Sequence, residues 1–69
     1  MLKDNQVWEN KVRIAKIEKC DKGLQALVFD IKPHGLQLSG VIKSKEQHLK
    51  IFLKKANMHP TNKILVVSE

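Results

Sequence analysis

Sixty-nine residues make one domain, and a chain this short buries only about 60% of the surface that its unfolded form exposes, so its core must be thin and oligomerisation is a common remedy. The single cysteine, Cys20, excludes an intramolecular disulfide and a multi-cysteine zinc site, and points to a reducing compartment. Thirteen Lys and Arg against seven Asp and Glu give a net charge of +6, and the surplus is uneven, because residues 43–63 hold Lys43, Lys45, Lys50, Lys54, Lys55 and Lys63 against Glu46 alone.

The N-terminal third reads as follows. Asp4 to Glu9 has room for one helical turn. Val12 and Ile14 alternate as in a strand, with Ile17 in phase only if a bulge intervenes near Ala15 or Lys16. A helix from Asn5 to Lys19, capped by Asp4, is the rival, but its apolar residues scatter around the helical wheel, so a strand over 12–20 is preferred. Asp21-Lys22-Gly23 is a hairpin turn.

A strand over 24–31 then places Leu27, Phe29 and Ile31 on one face. Pro33-His34-Gly35 turns the chain into a strand over 36–43, with Leu36, Leu38, Gly40 and Ile42 sharing a face. After the polar stretch Lys43 to His48, the period-two pattern of Leu49, Ile51 and Leu53 predicts a strand over 48–54. A loop marked by Asn57, His59, Pro60, Thr61 and Asn62 leads to a last strand over 63–68. Its run Ile64-Leu65-Val66-Val67 suits coverage on both faces or sharing with a neighbouring subunit. The expectation is an all-β domain spanning 1–69: five antiparallel strands in meander order, closed as a small barrel.

The chain carries no Gly-rich phosphate loop, no Gly-x-Ser-x-Gly and no His-Glu-x-x-His. His34, His48 and His59 are not spaced as metal ligands. No catalytic residue, metal or cofactor is therefore expected. Met1 to Asn10 lacks the apolar run of a signal peptide and no stretch of about 18 apolar residues occurs, so the chain reads as complete, cytoplasmic and without a membrane partner.

The basic second half fits a polyanion, since each neutralised phosphate releases condensed counterions. The alternative is that these lysines only solubilise a small sheet and protect its edges. If Leu49, Ile51 and Leu53 point inward from a strand, the pleat turns His48, Lys50, Phe52 and Lys54 outward. An aromatic between two lysines can stack a base while the ammonium groups hold phosphates; Phe52 covered by Trp8 or by another subunit is the other reading. The candidate nucleic-acid site is Lys43, Lys45, His48, Lys50, Phe52, Lys54 and Lys55.

Residues 35–53, GLQLSGVIKSKEQHLKIFL, resemble the first Sm motif of the Hfq and Sm-like family, with Gly35, Leu38, Gly40, Ile42, Glu46, Leu49 and Ile51 at comparable steps. Lys45 stands where that family has an apolar residue, and no second Sm motif follows in 54–69. The resemblance implies a five-stranded, ring-forming barrel that binds RNA. Residues 30–38, DIKPHGLQL, are similar to the Asp-x-Ser-x-x-Gly segment of PilZ domains, with Asp30 and Gly35 matching, Lys32 in place of the serine and no preceding Arg-x-x-x-Arg. That resemblance implies a β-barrel without the signature for cyclic di-GMP. The resulting expectation is a barrel of SH3-like or Sm-like size that binds nucleic acid, RNA ahead of DNA, by charge and shape. The alternatives are a protein-interaction or regulatory module with an exposed strand edge, self-associating or pairing with another protein, and a PilZ-like nucleotide sensor.

Overall fold

The computed structural model describes residues 2–21 and 23–66. Its elements run β1 (Val7–Glu9), β2 (Arg13–Cys20), β3 (Gly23–Lys32), β4 (Gly35–Ser44), α1 (Glu46–Lys55) and β5 (His59–Thr61). The five strands form one sheet in the order β4-β3-β2-β1-β5, with every neighbouring pair antiparallel. The fold is thus a five-stranded, mostly-β antiparallel unit as expected, but the meander order holds only for β1 to β4, since β5 pairs with β1. The sheet is open, with β4 and β5 as its two edges, so the closed barrel is not seen.

Two long hairpins form the larger part of the sheet. Pro33 and His34 link β3 to β4, and Gly35 takes a φ of +132°, a conformation that L side chains rarely adopt. The β2–β3 hairpin closes on the pair Cys20 and Gly23; Lys22 of that turn lies outside the described residues. Ahead of them, β1 is joined to β2 by a turn that Asn10 organises, its Oδ1 accepting the N–H groups of Val12 (2.8 Å) and Arg13 (2.7 Å). The expected helical turn over Asp4 to Glu9 is absent, because Val7, Trp8 and Glu9 pair with β2 on one side and β5 on the other.

Strand β2 keeps an uninterrupted register with β3 from Arg13 to Cys20, with no bulge at Ala15 or Lys16. Ile14 falls on one face, Ala15 and Ile17 on the other, and all three are buried. The phase conflict in the sequence disappears because both faces of this strand are covered. The bulge lies instead in β4: Val28 pairs with Gly40 and Phe29 with Leu38, leaving Ser39 extra. This splits the face expected for β4. Leu36 and Leu38 share a side with Val41 and Lys43, while Gly40 and Ile42 turn to the other.

The segment over 48–54 is a helix, not a strand. Leu49, Phe52, Leu53 and Ala56 recur at i, i+3, i+4 and i+7, a helical stripe as complete as the alternation of Leu49, Ile51 and Leu53. Helix formers (Glu46, Gln47, Leu49, Lys50, Leu53, Lys54, Lys55) decide between them, Ile51 being the one β-branched residue. Asn57, at φ +57°, closes the helix. Its N–H donates to the Lys54 carbonyl and that of Met58 to the Leu53 carbonyl, each at 3.0 Å, the paired bonds of a Schellman motif. Met58 and Leu53, the apolar partners of that motif, are both buried in the core.

Helix α1 covers one face of the sheet. Leu49 and Leu53 are fully buried against Ala15, Ile17, Ala26 and Val28, with Leu2 and Met58 closing the ends and Trp8, Leu24, Ile42, Phe52 and Ala56 at the margin. Ala15 and Ala26 lie beneath the helix with no exposed surface, and their small side chains make room for the two leucines. On the opposite face a smaller cluster gathers Val7, Ile14 and Phe29 under Leu27 and Leu65. The segment expected as a last strand runs through 63–66 outside any strand, with Leu65 laid on that face; residues 67 and 68 lie outside the described residues.

Because only one helical face reaches the core, leucines and the isoleucine of α1 must differ in weight. Leu49→Ala and Leu53→Ala are each expected to cost roughly 2–5 kcal/mol, and Ile51→Ala about 0.5 kcal/mol or less, in urea unfolding followed by circular dichroism. Equal costs at the three positions would return the segment to a strand.

Candidate nucleic-acid interface

Helix α1 is held at both ends and along its inner side, which fixes what it shows to solvent. At its start the Leu2 N–H donates to Glu46 Oε1 at 3.0 Å, and Ser44 Oγ meets His48 Nδ1 at 3.1 Å. At its end Asn10 Nδ2 donates to the Ala56 carbonyl at 2.8 Å, tying the β1–β2 turn to the helix terminus. With Leu49, Phe52 and Leu53 turned to the sheet, the outer side carries Gln47, His48, Ile51, Lys54 and Lys55, all exposed, with Lys50 half-buried at the edge. Lys50 and Lys54 are one turn apart, about 6 Å along the axis, and His48, Ile51 and Lys55 form the adjacent row.

The structure therefore brings together Lys45, at the helix N-cap, with His48, Lys50, Lys54 and Lys55. It separates the other two candidates from them. Lys43 pairs with Gln25 on the sheet face away from α1. Phe52 is half-buried and packs against the core between helix and sheet, so it does not stand outward between Lys50 and Lys54. A helix keeps residues 50 and 54 one turn apart on one side and sends 52 to another, whereas the expected pleat would have aligned all three. Ile51, which the strand reading placed inside, takes the outward position and is 46% exposed.

The electrostatics of this surface are one-sided. The ion pairs among the described residues are Arg13–Asp30 (3.2 Å), Lys16–Glu18 (3.7 Å) and Lys63–Glu9 (3.0 Å). None of them involves Lys43, Lys45, Lys50, Lys54 or Lys55. Glu46, the one acid of the segment, is occupied by the Leu2 N–H. Lys54 and Lys55 lie in the last turn, where the helix dipole favours cations, so their placement also stabilises the helix. That second role is a sufficient reason for two lysines there, but not for Lys45 at the opposite end.

No other chemistry gathers nearby. Among the described residues no three His, Cys, Asp or Glu side chains come together to hold a metal ion. His34 is in the β3–β4 turn and His59 in β5. Cys20 is a free, half-buried thiol. A groove of about 690 Å³ lies between the β1–β2 turn and the helix terminus, lined by residues that include Glu9, Asn10, Asn57 and His59; none of the seven candidates lines it. No helix among the described residues is long and apolar enough to cross a membrane. A scan against protein-family models found no match, and comparisons with curated proteins and with solved structures found no significant one.

The two classes of residue on α1 separate by stability. Phe52→Ala should cost about 2–4 kcal/mol through lost packing, whereas Lys54→Gln and Lys55→Gln should each cost about 0.3–1 kcal/mol, shrinking in high salt. Urea midpoints at two ionic strengths measure both; a Phe52→Ala protein as stable as the parent would put the ring back outside.

Proposed function

We propose that this domain is a non-catalytic nucleic-acid-binding module that grips phosphates with the solvent face of α1. The observation that supports this reading is the positive charge of Lys45, Lys50, Lys54 and Lys55 along one short helix, none of them in an ion pair among the described residues. A row of uncompensated ammonium groups is favourable against a polyanion, because binding releases counterions. His48, on the same side, adds a hydrogen-bonding imidazole. The exposed Ile51 offers an apolar contact to a base or sugar, in the place foreseen for Phe52.

The α1 face offers no paired Arg or Asn set of the kind that reads base edges, so recognition rests on charge and shape. RNA is placed ahead of DNA on the resemblance of residues 35–53 to the first Sm motif, and the free thiol of Cys20 suits a reducing compartment. The binding surface in this proposal is Lys45, His48, Lys50, Lys54 and Lys55; Lys43 and Phe52 no longer belong to it.

Fluorescence polarisation with labelled single-stranded RNA and DNA, titrated at several salt concentrations, tests the proposal. Micromolar binding at low salt should weaken steeply as salt rises. Replacing Lys50 and Lys54 together by Gln should weaken it about tenfold or more and reduce the slope of log K against log[salt] by roughly 1.4, two lost phosphate contacts on a single strand. Absence of micromolar binding even at low salt overturns the reading.

A further inference from the structure

We propose that the sheet face opposite α1 is the contact surface of a homodimer, in which the sheets of two copies pack face to face. Along β3 and β4 this face presents Leu27, Phe29, Ile31, Leu36, Leu38 and Val41. Leu65 covers the end near Val7, Ile14 and Phe29, but no described residue covers the hairpin end, where Ile31, Leu36, Leu38 and Val41 are 41–54% exposed. The bulge at Ser39 concentrates these side chains: it brings Val41 to the side that already carries Leu36 and Leu38. Exposed apolar side chains that adjoin in this way mark an interaction surface, unlike single ones scattered over a protein.

Two observations select a second copy as the occupant. The first is area. The chain exposes 5253 Å², whereas a compact monomer of its 7.9 kDa is expected to expose roughly 4,400 Å². The excess, roughly 850 Å², is close to the about 800 Å² per partner that a standard protein interface removes. Leu65 packs on this face, and its neighbours Ile64 and Val66 are 90% and 82% exposed.

The second observation is charge. Among the described residues the ion pairs on this face are Lys16 with Glu18 and Lys63 with Glu9, and Lys43, at the far end of β4, is in none of them. A nucleic acid finds little to hold there. A copy of the same face meets apolar surface without an opposed charge in its centre, which is what a two-fold, self-complementary interface requires. Packing of the two hairpin ends about 10 Å apart would bury Ile31, Leu36, Leu38 and Val41 and leave both α1 helices outside.

The test is mass in solution without nucleic acid, so that its result is independent of the binding proposal. Sedimentation equilibrium should give twice the 7.9 kDa chain mass, dissociating on dilution. The double variant Leu38→Lys, Val41→Glu should be monomeric with an unchanged far-ultraviolet circular dichroism spectrum, because both side chains leave an edge strand toward solvent. In parent protein mixed from isotopically labelled and unlabelled chains, intermolecular methyl contacts should join Leu36, Leu38 and Val41, which keeps the test decisive if the variant fails to fold. A parent that stays monomeric up to its solubility limit overturns the proposal. So does a variant that remains dimeric, or a dimer whose new protection from hydrogen exchange lies on the outer backbone edge of β4, the mark of edge-to-edge pairing.

Discussion

The structure depends on the seating of one ten-residue helix on one face of a sheet. Leu49 and Leu53 reach the sheet because Ala15 and Ala26 keep the floor low, and the aliphatic walls Ile17 and Val28 complete the contact. A helix of this length is marginal alone in water, so its existence is a tertiary effect. The end devices serve that seating. The Schellman closure at Asn57 turns the chain so that Met58 drops into the same core, and Asn10 fastens the helix terminus to the first turn of the sheet. Leu2 and the Leu2–Glu46 bond do the same at the other end. Residues from the N-terminal segment and from just beyond the helix thus converge on it, which suits a domain too small to hold its core by area alone. Among the described residues one buried side-chain polar atom, Trp8 Nε1, has no hydrogen-bond partner, a cost of order 1–3 kcal/mol that the surrounding packing must offset.

The seating also divides the surface. With its apolar stripe committed inward, α1 can only present its charged side outward, so the unpaired lysines are displayed on the helix layer. The opposite sheet face carries paired charges and an apolar row. A single architectural decision therefore separates a cationic side from a nearly neutral one. Lys43 illustrates the rule, since it is close in sequence to Lys45 but separated from it by the thickness of the sheet. Charge counted along the chain places it in the basic cluster; the pleat of β4 removes it.

How much of this was legible depends on whether neighbours or the residues themselves decide the conformation. The β2, β3 and β4 strands could be read because alternation and turn residues, above all Pro33-His34-Gly35, coincide. The lysine surplus was legible as well, since charge needs no conformation to be counted. The helix was not, because 48–54 satisfies period two and period 3.6 at once. The signal that separates them lies outside the segment, in Asn57 as a left-handed cap two residues past the paired lysines, where a loop reading saw only a turn former. The bulge at Ser39 was likewise hidden: Gly40 fits either face, so nothing marks the slip until β3 supplies the register. Short β1 and β5 owe their pairing to each other and to β2, not to local propensity, and β5 contains Pro60, which reads as loop in isolation but is tolerated on an edge strand.

The two proposed surfaces constrain one another. In a face-to-face dimer each α1 lies on the outside of its own sheet, and successive layers are about 10 Å apart. Helix, sheet, sheet and helix then place the two helix axes roughly 30 Å apart, on opposite sides of the particle. Two cationic faces so arranged point away from each other. They cannot grip neighbouring phosphates of one short strand, so dimerisation would add no avidity on such a ligand. On a long or folded polyanion they would hold two separate segments at once, and the dimer would act as a bridge. A ring such as the Sm-like resemblance implies would instead turn its sites toward a common axis. The open sheet, with its apolar face on the side away from the lysines, favours bridging over enclosure.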